Sequence, residues 1–157
     1  MIFVTGYFGA PVREKAEELA SEQGLEVINL DKMIEAADGR SIKRICMMHG
    51  EHGYRNKEYE ALKELTEGSA ASDGKAVVLC GDGVLHDDMS REILMTKGTL
   101  VIVGENMSPE ELWERAKQID DTYHAFMFFG SESDKRKAFE GLHCRQKVLF
   151  GGLHDSE

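Results

Sequence analysis

Basic side chains are in short supply in this chain: 19 lysines and arginines stand against 29 aspartates and glutamates, for a net charge of −10. No lysine or arginine run is long enough to track a phosphate backbone, so nucleic acid is not an expected partner. Cysteine is equally sparse. Cys46, Cys80 and Cys144 are odd in number and widely spaced, which excludes a disulfide framework and points to reduced thiols in a cytoplasmic setting. No apolar run approaches the ~20 residues that a membrane span requires. The first residues, Met1 to Val4, reach Thr5 and Gly6 without a basic lead, which is not the pattern of a signal peptide. Two prolines leave no room for a proline-rich linker. What is present is globular in type: 41% apolar and 31% charged residues over 157 positions suffice for one core, so a single domain over residues 1–157 is expected.

Hydrophobic periodicity orders the elements. Ile2 to Thr5 is short, β-branched and bounded by Gly6, the signature of a buried strand. After the glycines, Pro11 suits the first position of a helix, and Val12, Ala16, Leu19 and Ala20 recur at helical spacing until Gly24. Leu25 to Leu30 reads as a second strand, followed by a helix from Asp31 to near Gly39 and a short one capped by Ser41. Tyr54, Glu58, Ala61, Leu62 and Leu65 mark a longer helix, closed by a surface loop over 68–74. Ala76 to Cys80 and Thr99 to Val103 are unbroken apolar strands of the kind found in parallel sheets covered on both faces. Ser108-Pro-Glu-Glu111 is a capping box whose helix carries Leu112, Trp113, Ala116 and Ile119, and a last helix is expected from about Ser133 to Phe150. Strands alternating with helices predict an α/β fold, a parallel sheet with helices on both faces. Ligands in such sheets bind at the carboxyl ends of the strands, where both glycine clusters, after Thr5 and after Cys80, fall.

Four motifs in order then carry a family resemblance. Gly6-Tyr-Phe-Gly-Ala-Pro-Val-Arg13 resembles the loop GxxGxGK(S/T) of shikimate kinases, and Asn29-Leu-Asp31 stands where that family has DxD. Gly53-Tyr-Arg55-Asn-Lys-Glu58 resembles its FRxxE helix, and Gly81-Asp-Gly83 its GGG turn. Ser108 to Arg115 is similar to the SPEEL-x-ER helix common in these kinases. The resemblance implies the three-layer P-loop kinase fold and a site for transfer of the ATP γ-phosphate to a shikimate hydroxyl. By resemblance, Gly6, Gly9, Ala10, Pro11, Val12 and Arg13 form the nucleotide or anion loop, Asp31 holds substrate hydroxyls, Arg55 and Arg145 hold its carboxylate, and Gly81, Asp82 and Gly83 form the turn facing it.

The loop departs from the family where the chemistry is done. A working loop aims backbone N–H groups at the phosphates, bridges the outer ones with a lysine and places a hydroxyl on Mg²⁺. Here Pro11, which has no N–H, replaces a glycine, Val12 the lysine and Arg13 the serine or threonine. Losing one charged hydrogen bond of about 1.5–3 kcal/mol costs on the order of tenfold to a hundredfold in binding or rate. Asn29 stands where a carboxylate would help to organise Mg²⁺, and no lid arginine occurs near Tyr123 and His124. The expected function is a shikimate-kinase-like module with little or no phosphotransfer that binds a small anionic or polar ligand. The alternative is an active kinase, using ATP and Mg²⁺, in which Arg13 supplies the missing cation. Asp82, a negative charge where the substrate carboxylate is expected, pairs in this reading with Arg55 or Arg145.

Other residues admit plainer readings. Gly6 and Gly9 serve a tight strand-to-helix turn as well as an anion site, and Asp31 is either a helix cap or a ligand contact. Cys46, His49 and His52 recur every three residues but lack a fourth ligand, so packing is expected there and no metal. His143 and Cys144 lack an orienting partner for catalysis. Tyr123, Phe126, Phe128 and Phe129 are expected to pack a lid onto the core, an exposed patch for partners being the other reading.

Overall fold

The computed structural model describes residues 1–67, 75–120 and 122–155, so the expected loop over 68–74 lies outside the described residues. Strands β1 (Ile2–Gly6), β2 (Glu26–Asn29), β3 (Ala76–Leu79) and β4 (Thr99–Val103) form one sheet in the order β2-β3-β1-β4. Every pairing is parallel: Phe3 lies opposite Val78 and Leu100, and Val27 opposite Val77. The strands are the β-branched runs seen in the sequence, since branched side chains pack well on a pleated surface.

Among the described residues six α-helices connect and cover the strands: α1 (Val12–Gln23), α2 (Leu30–Asp38), α3 (Ile42–Glu67), α4 (Asp88–Thr96), α5 (Pro109–Ala116) and α6 (Glu132–Asp155). Pro11 sits in the cap position ahead of α1 rather than inside its first turn. The short and long helices expected after Ser41 run end to end as α3, interrupted at Gly50 (φ 72°, ψ 178°). α4 was not legible as a helix. It starts where the Asp87 carboxylate accepts the Ser90 N–H at 2.9 Å, and it buries Ile93 and Leu94. α6 is longer than expected, and α5 ends three residues before Ile119.

Alternation along the strands divides the core. Val4 and Val77 meet Ala16 and Ala20 of α1 on one face. Phe3 and Val78 belong to the larger cluster on the other, with Leu30, Ile34, Tyr54, Leu62, Leu94, Leu112 and Phe139. One helix therefore covers one face and the rest pack against the other or beyond the strand ends. Among the described residues no helix is long and apolar enough to cross a membrane.

The α5 capping box forms as the sequence predicts. The Ser108 hydroxyl accepts the Glu111 N–H at 3.2 Å and the Glu111 carboxylate accepts the Ser108 N–H at 3.3 Å. Ser108→Ala is expected to cost about 1 kcal/mol, read as a lower urea midpoint at unchanged slope.

Candidate functional site

A cleft of about 250 Å³ opens at the carboxyl ends of the strands. The loop after β1 contributes Phe8, Gly9 and Ala10, and the start of α1 Val12 and Arg13; Asn29 ends β2 and Asp31 follows it; Gly81 and Asp82 follow β3; Lys43 and Tyr123 close the sides. Most of the site residues read from sequence therefore converge. Gly6, Pro11, Gly83, Arg55 and Arg145 are not part of this lining.

The loop is turned into the protein. Tyr7 and Phe8 are both buried, Tyr7 edge-on to Phe150 with ring centres 4.8 Å apart and Phe8 4.5 Å from the His124 ring. Four of its amides are already used. Tyr7 N–H donates to Val103 O (3.1 Å), Phe8 N–H to Gln146 Oε1 (3.0 Å), Ala10 N–H to Tyr7 O (2.9 Å) and Val12 N–H to Ala10 O (2.8 Å). Gly9 has φ 98°, and a Cβ there would run into the Leu112 carbonyl, so only glycine fits this approach to α5. Arg115 Nε holds the Gly9 carbonyl at 2.7 Å. Pro11 has no amide to offer, and Arg13 is exposed at the rim. These four amides point at acceptors within the protein and not at an anion in the cleft.

Arg55 is buried and makes three side-chain hydrogen bonds. It donates to Glu58 Oε1 at 2.8 Å, Glu51 Oε1 at 3.0 Å and the Tyr123 hydroxyl at 2.6 Å, with its guanidinium over the Tyr123 ring. A Cβ on Gly83 would collide with this guanidinium and the Tyr123 hydroxyl. Glu58 has no exposure, and its Oε2 has no hydrogen-bond partner. Burial pushes its carboxyl up to about 7, against the lowering pull of Arg55.

Asp82 pairs with neither Arg55 nor Arg145, contrary to the sequence reading. His124 Nε2 lies 2.8 Å from its Oδ2, and Gln146 Nε2 donates to the same oxygen at 3.0 Å and to the Asp82 carbonyl at 3.2 Å. Burial raises the Asp82 pKa, but His124, Arg55 and Gln146 together outweigh it, and the carboxyl stays below its ordinary value. Arg145 is exposed on α6, one residue from the buried Gln146. The helical period held that signal, because Phe139, Leu142, Gln146 and Phe150 share one stripe and Arg145 does not.

Asp31 is not a helix cap. Asn29 caps α2, accepting the Lys32 N–H at 3.2 Å, while Asp31 lines the cleft and accepts the Tyr54 hydroxyl at 2.6 Å. The break at Gly50 separates Cys46 and His49 from His52, and among the described residues no group of three or more His, Cys, Asp or Glu is placed to hold a metal. His143 packs between Tyr7 and Phe139, while Cys144 is exposed. Tyr123 and Phe126 pack inward as expected of the lid segment, Phe128 lies 4.0 Å beneath Lys43, and Phe129 is 74% exposed.

Comparisons with known proteins agree with this fold. A family model described as shikimate kinase matches residues 14–146, beginning directly after Arg13. A shikimate kinase of Chlorobaculum parvum is 36% identical over 121 residues, 77% of this chain and 61% of the relative, so the match spans about three fifths of that protein. One of Aromatoleum aromaticum is 29% identical over 99% of this chain and 82% of its own. Among solved structures, shikimate kinase of Bacteroides thetaiotaomicron superposes with a TM-score of 0.78 at 21% identity, covering 96% of this chain and 81% of that one. That of Acinetobacter baumannii, in complex with shikimate, gives 0.70 at 26% identity over 92% and 78%.

Two outcomes follow from the buried charges. The Glu58 carboxyl holds its proton to about 7 when folded against 4.5 ordinarily, so the folded state binds the extra proton between those values. Stability should therefore be full below the lower value and fall as pH rises through the upper, by roughly 1 kcal/mol per pH unit at the steepest. Thermal unfolding across this range should show the slope, and Glu58→Gln should flatten it. Gly83→Ala, which intrudes on Arg55 and Tyr123, should lower stability by about 1–3 kcal/mol in chemical denaturation.

Proposed function

Because the chain belongs to the shikimate kinase family, we propose that it keeps that family's fold and substrate-side cleft but carries out little or no ATP-dependent phosphotransfer, acting as a small-ligand binding or regulatory module. The observation that carries this reading is the self-satisfied loop: the amides of Tyr7, Phe8, Ala10 and Val12 all donate within the protein. Phosphoryl transfer depends almost wholly on positioning and charge neutralisation, and the side chains for both are missing at Val12 and Arg13.

The cleft suits a small polar ligand. Asp31 and Asp82 line its floor, and Arg13 and Lys43 its rim. Shikimate, held by the Acinetobacter baumannii relative, is the first ligand to test. Its carboxylate meets a poor site here, since Arg55 is occupied by Glu51 and Glu58 and Asp82 adds negative charge. A neutral or cationic polyol-like ligand is favoured over a carboxylate.

A second reading, an active kinase with a reworked loop, rests on Arg13 being exposed on the cleft lining, where a guanidinium would meet a phosphate. Calorimetric titration separates the two. With ATP and Mg²⁺ at millimolar concentrations no binding heat is expected, and Arg13→Ala should change nothing. Tight magnesium-dependent binding that Arg13→Ala abolishes would establish the kinase reading instead.

A further inference from the structure

The cleft is divided by charge. Its cations, Arg13, Lys32 and Lys43, are exposed, and Lys32 is turned to Glu35 at 3.3 Å. The carboxylates of Asp31 and Asp82 sit deeper, both residues being half-buried. Arg55, the one lysine or arginine buried among the described residues, is already matched by Glu51 and Glu58. His124 and Gln146 both approach the same Asp82 oxygen, Oδ2. No hydrogen bond among the described residues reaches Asp82 Oδ1, which stays open on the cleft lining. A third acid stands beneath. Glu58 has no exposure, and its Oε2, without a partner, approaches the lining at Gly81. A Cβ on Gly81 would lie 3.6 Å from that oxygen and 3.2 Å from the Tyr54 hydroxyl. Burial is the first cause of the raised Glu58 carboxyl, and Asp31 and Asp82 both add to it. Asp31 and Glu58 likewise add to burial in raising the Cys80 thiol. The negative field of three acids therefore converges under the turn after β3.

We infer that the ligand of this cleft carries a primary amine, seated as an ammonium against Asp31 and the open oxygen of Asp82, so that its class is an amino-bearing polyol ring. The inference rests on the reading of the cleft as a small-ligand site. An ammonium brings three donors and a positive charge to a floor that offers acceptors and negative charge. A hydroxyl reaches the same oxygens with a weaker bond, and a carboxylate meets like charge. The cations at the rim are solvated and weigh less on an ammonium than half-buried acids do. At about 250 Å³ the cleft is smaller than the ~300–1,000 Å³ usual for drug-sized ligands, so it suits a single ring. Phe8, Tyr123 and Ile119 on the lining supply apolar surface for the ring's C–H groups.

Calorimetric titration of the full chain without nucleotide, using two matched pairs and one acid, tests this. The pairs are glucosamine with glucose and streptamine with scyllo-inositol, each differing in amine against hydroxyl, and the acid is shikimate. In at least one pair the amine should bind about tenfold or more tightly than its neutral counterpart, with shikimate weaker than that amine. The preference should shrink as salt is raised. Asp82→Asn and, separately, Asp31→Asn should each bring the amine-to-neutral ratio toward one, a ratio that a general loss of folding would not select. Equal binding within both pairs, tighter binding of shikimate, no binding by any of the five, or a preference that survives both substitutions overturns the inference. Magnesium-dependent ATP binding would overturn the reading of the chain as a module and leave an amine preference standing. Absence of ATP binding together with equal affinity for amine and hydroxyl would keep that reading and remove the amine.

Discussion

A guanidinium is charged at any pH at which a protein folds, so burying one obliges the interior to be arranged around it. Arg55 is that group. Helix α3 brings Glu51 and Glu58 to it from one turn before and one after, the lid segment contributes the Tyr123 hydroxyl, and Gly83 keeps its side of the turn bare so that the cation has room. Leaving such a charge without its partners would cost about 3–5 kcal/mol, a large share of a domain's net stability. The turn after β3 and the segment around Tyr123 are therefore fixed against α3, and the cation is directed away from the cleft.

A second junction depends on the first. The turn that Arg55 holds presents Asp82 to His124 and to Gln146, and Gln146 in turn accepts the amide of Phe8. One buried side-chain amide thus ties the loop after β1, the turn after β3 and α6 together. A loop secured in this way, with Tyr7 and Phe8 in the core, keeps its shape with nothing bound.

The sheet was legible because its strands are short, β-branched and bounded by glycine, and burial on both faces leaves no competing pattern. Helix α5 announced itself through Ser108, Pro109 and Glu111. Helix α4 did not, because Met89, Ser90 and Arg91 break the apolar period and the cap at Asp87 is clear only once its bond to Ser90 is seen. The members of the site were found by motif, but their pairings were not. A motif reports that Arg55 and Asp82 lie near one another's region of the fold; it carries nothing about Tyr123, His124 or Gln146, which arrive from distant sequence and decide what each charge does. The charge of Arg145 matches the motif, but the helical stripe buries Gln146 instead.

The order of strands also bears on how the chain acquires its structure. β1 is central, yet its partners are β3 and β4, and the least separated of all the pairings, Glu26 with Ala76, still joins positions fifty apart. No two strands can zip locally. Each ladder waits for a long loop to close, which slows folding relative to hairpin-built sheets of similar size. During synthesis the first half of the chain emerges with β1 and β2 written but nothing to pair with, and their apolar faces remain open until Ala76–Leu79 leaves the ribosome. Helices α1, α2 and α3, all of which precede β3, are then the local means of shielding them, so the early chain relies on helix formation while its sheet is still incomplete.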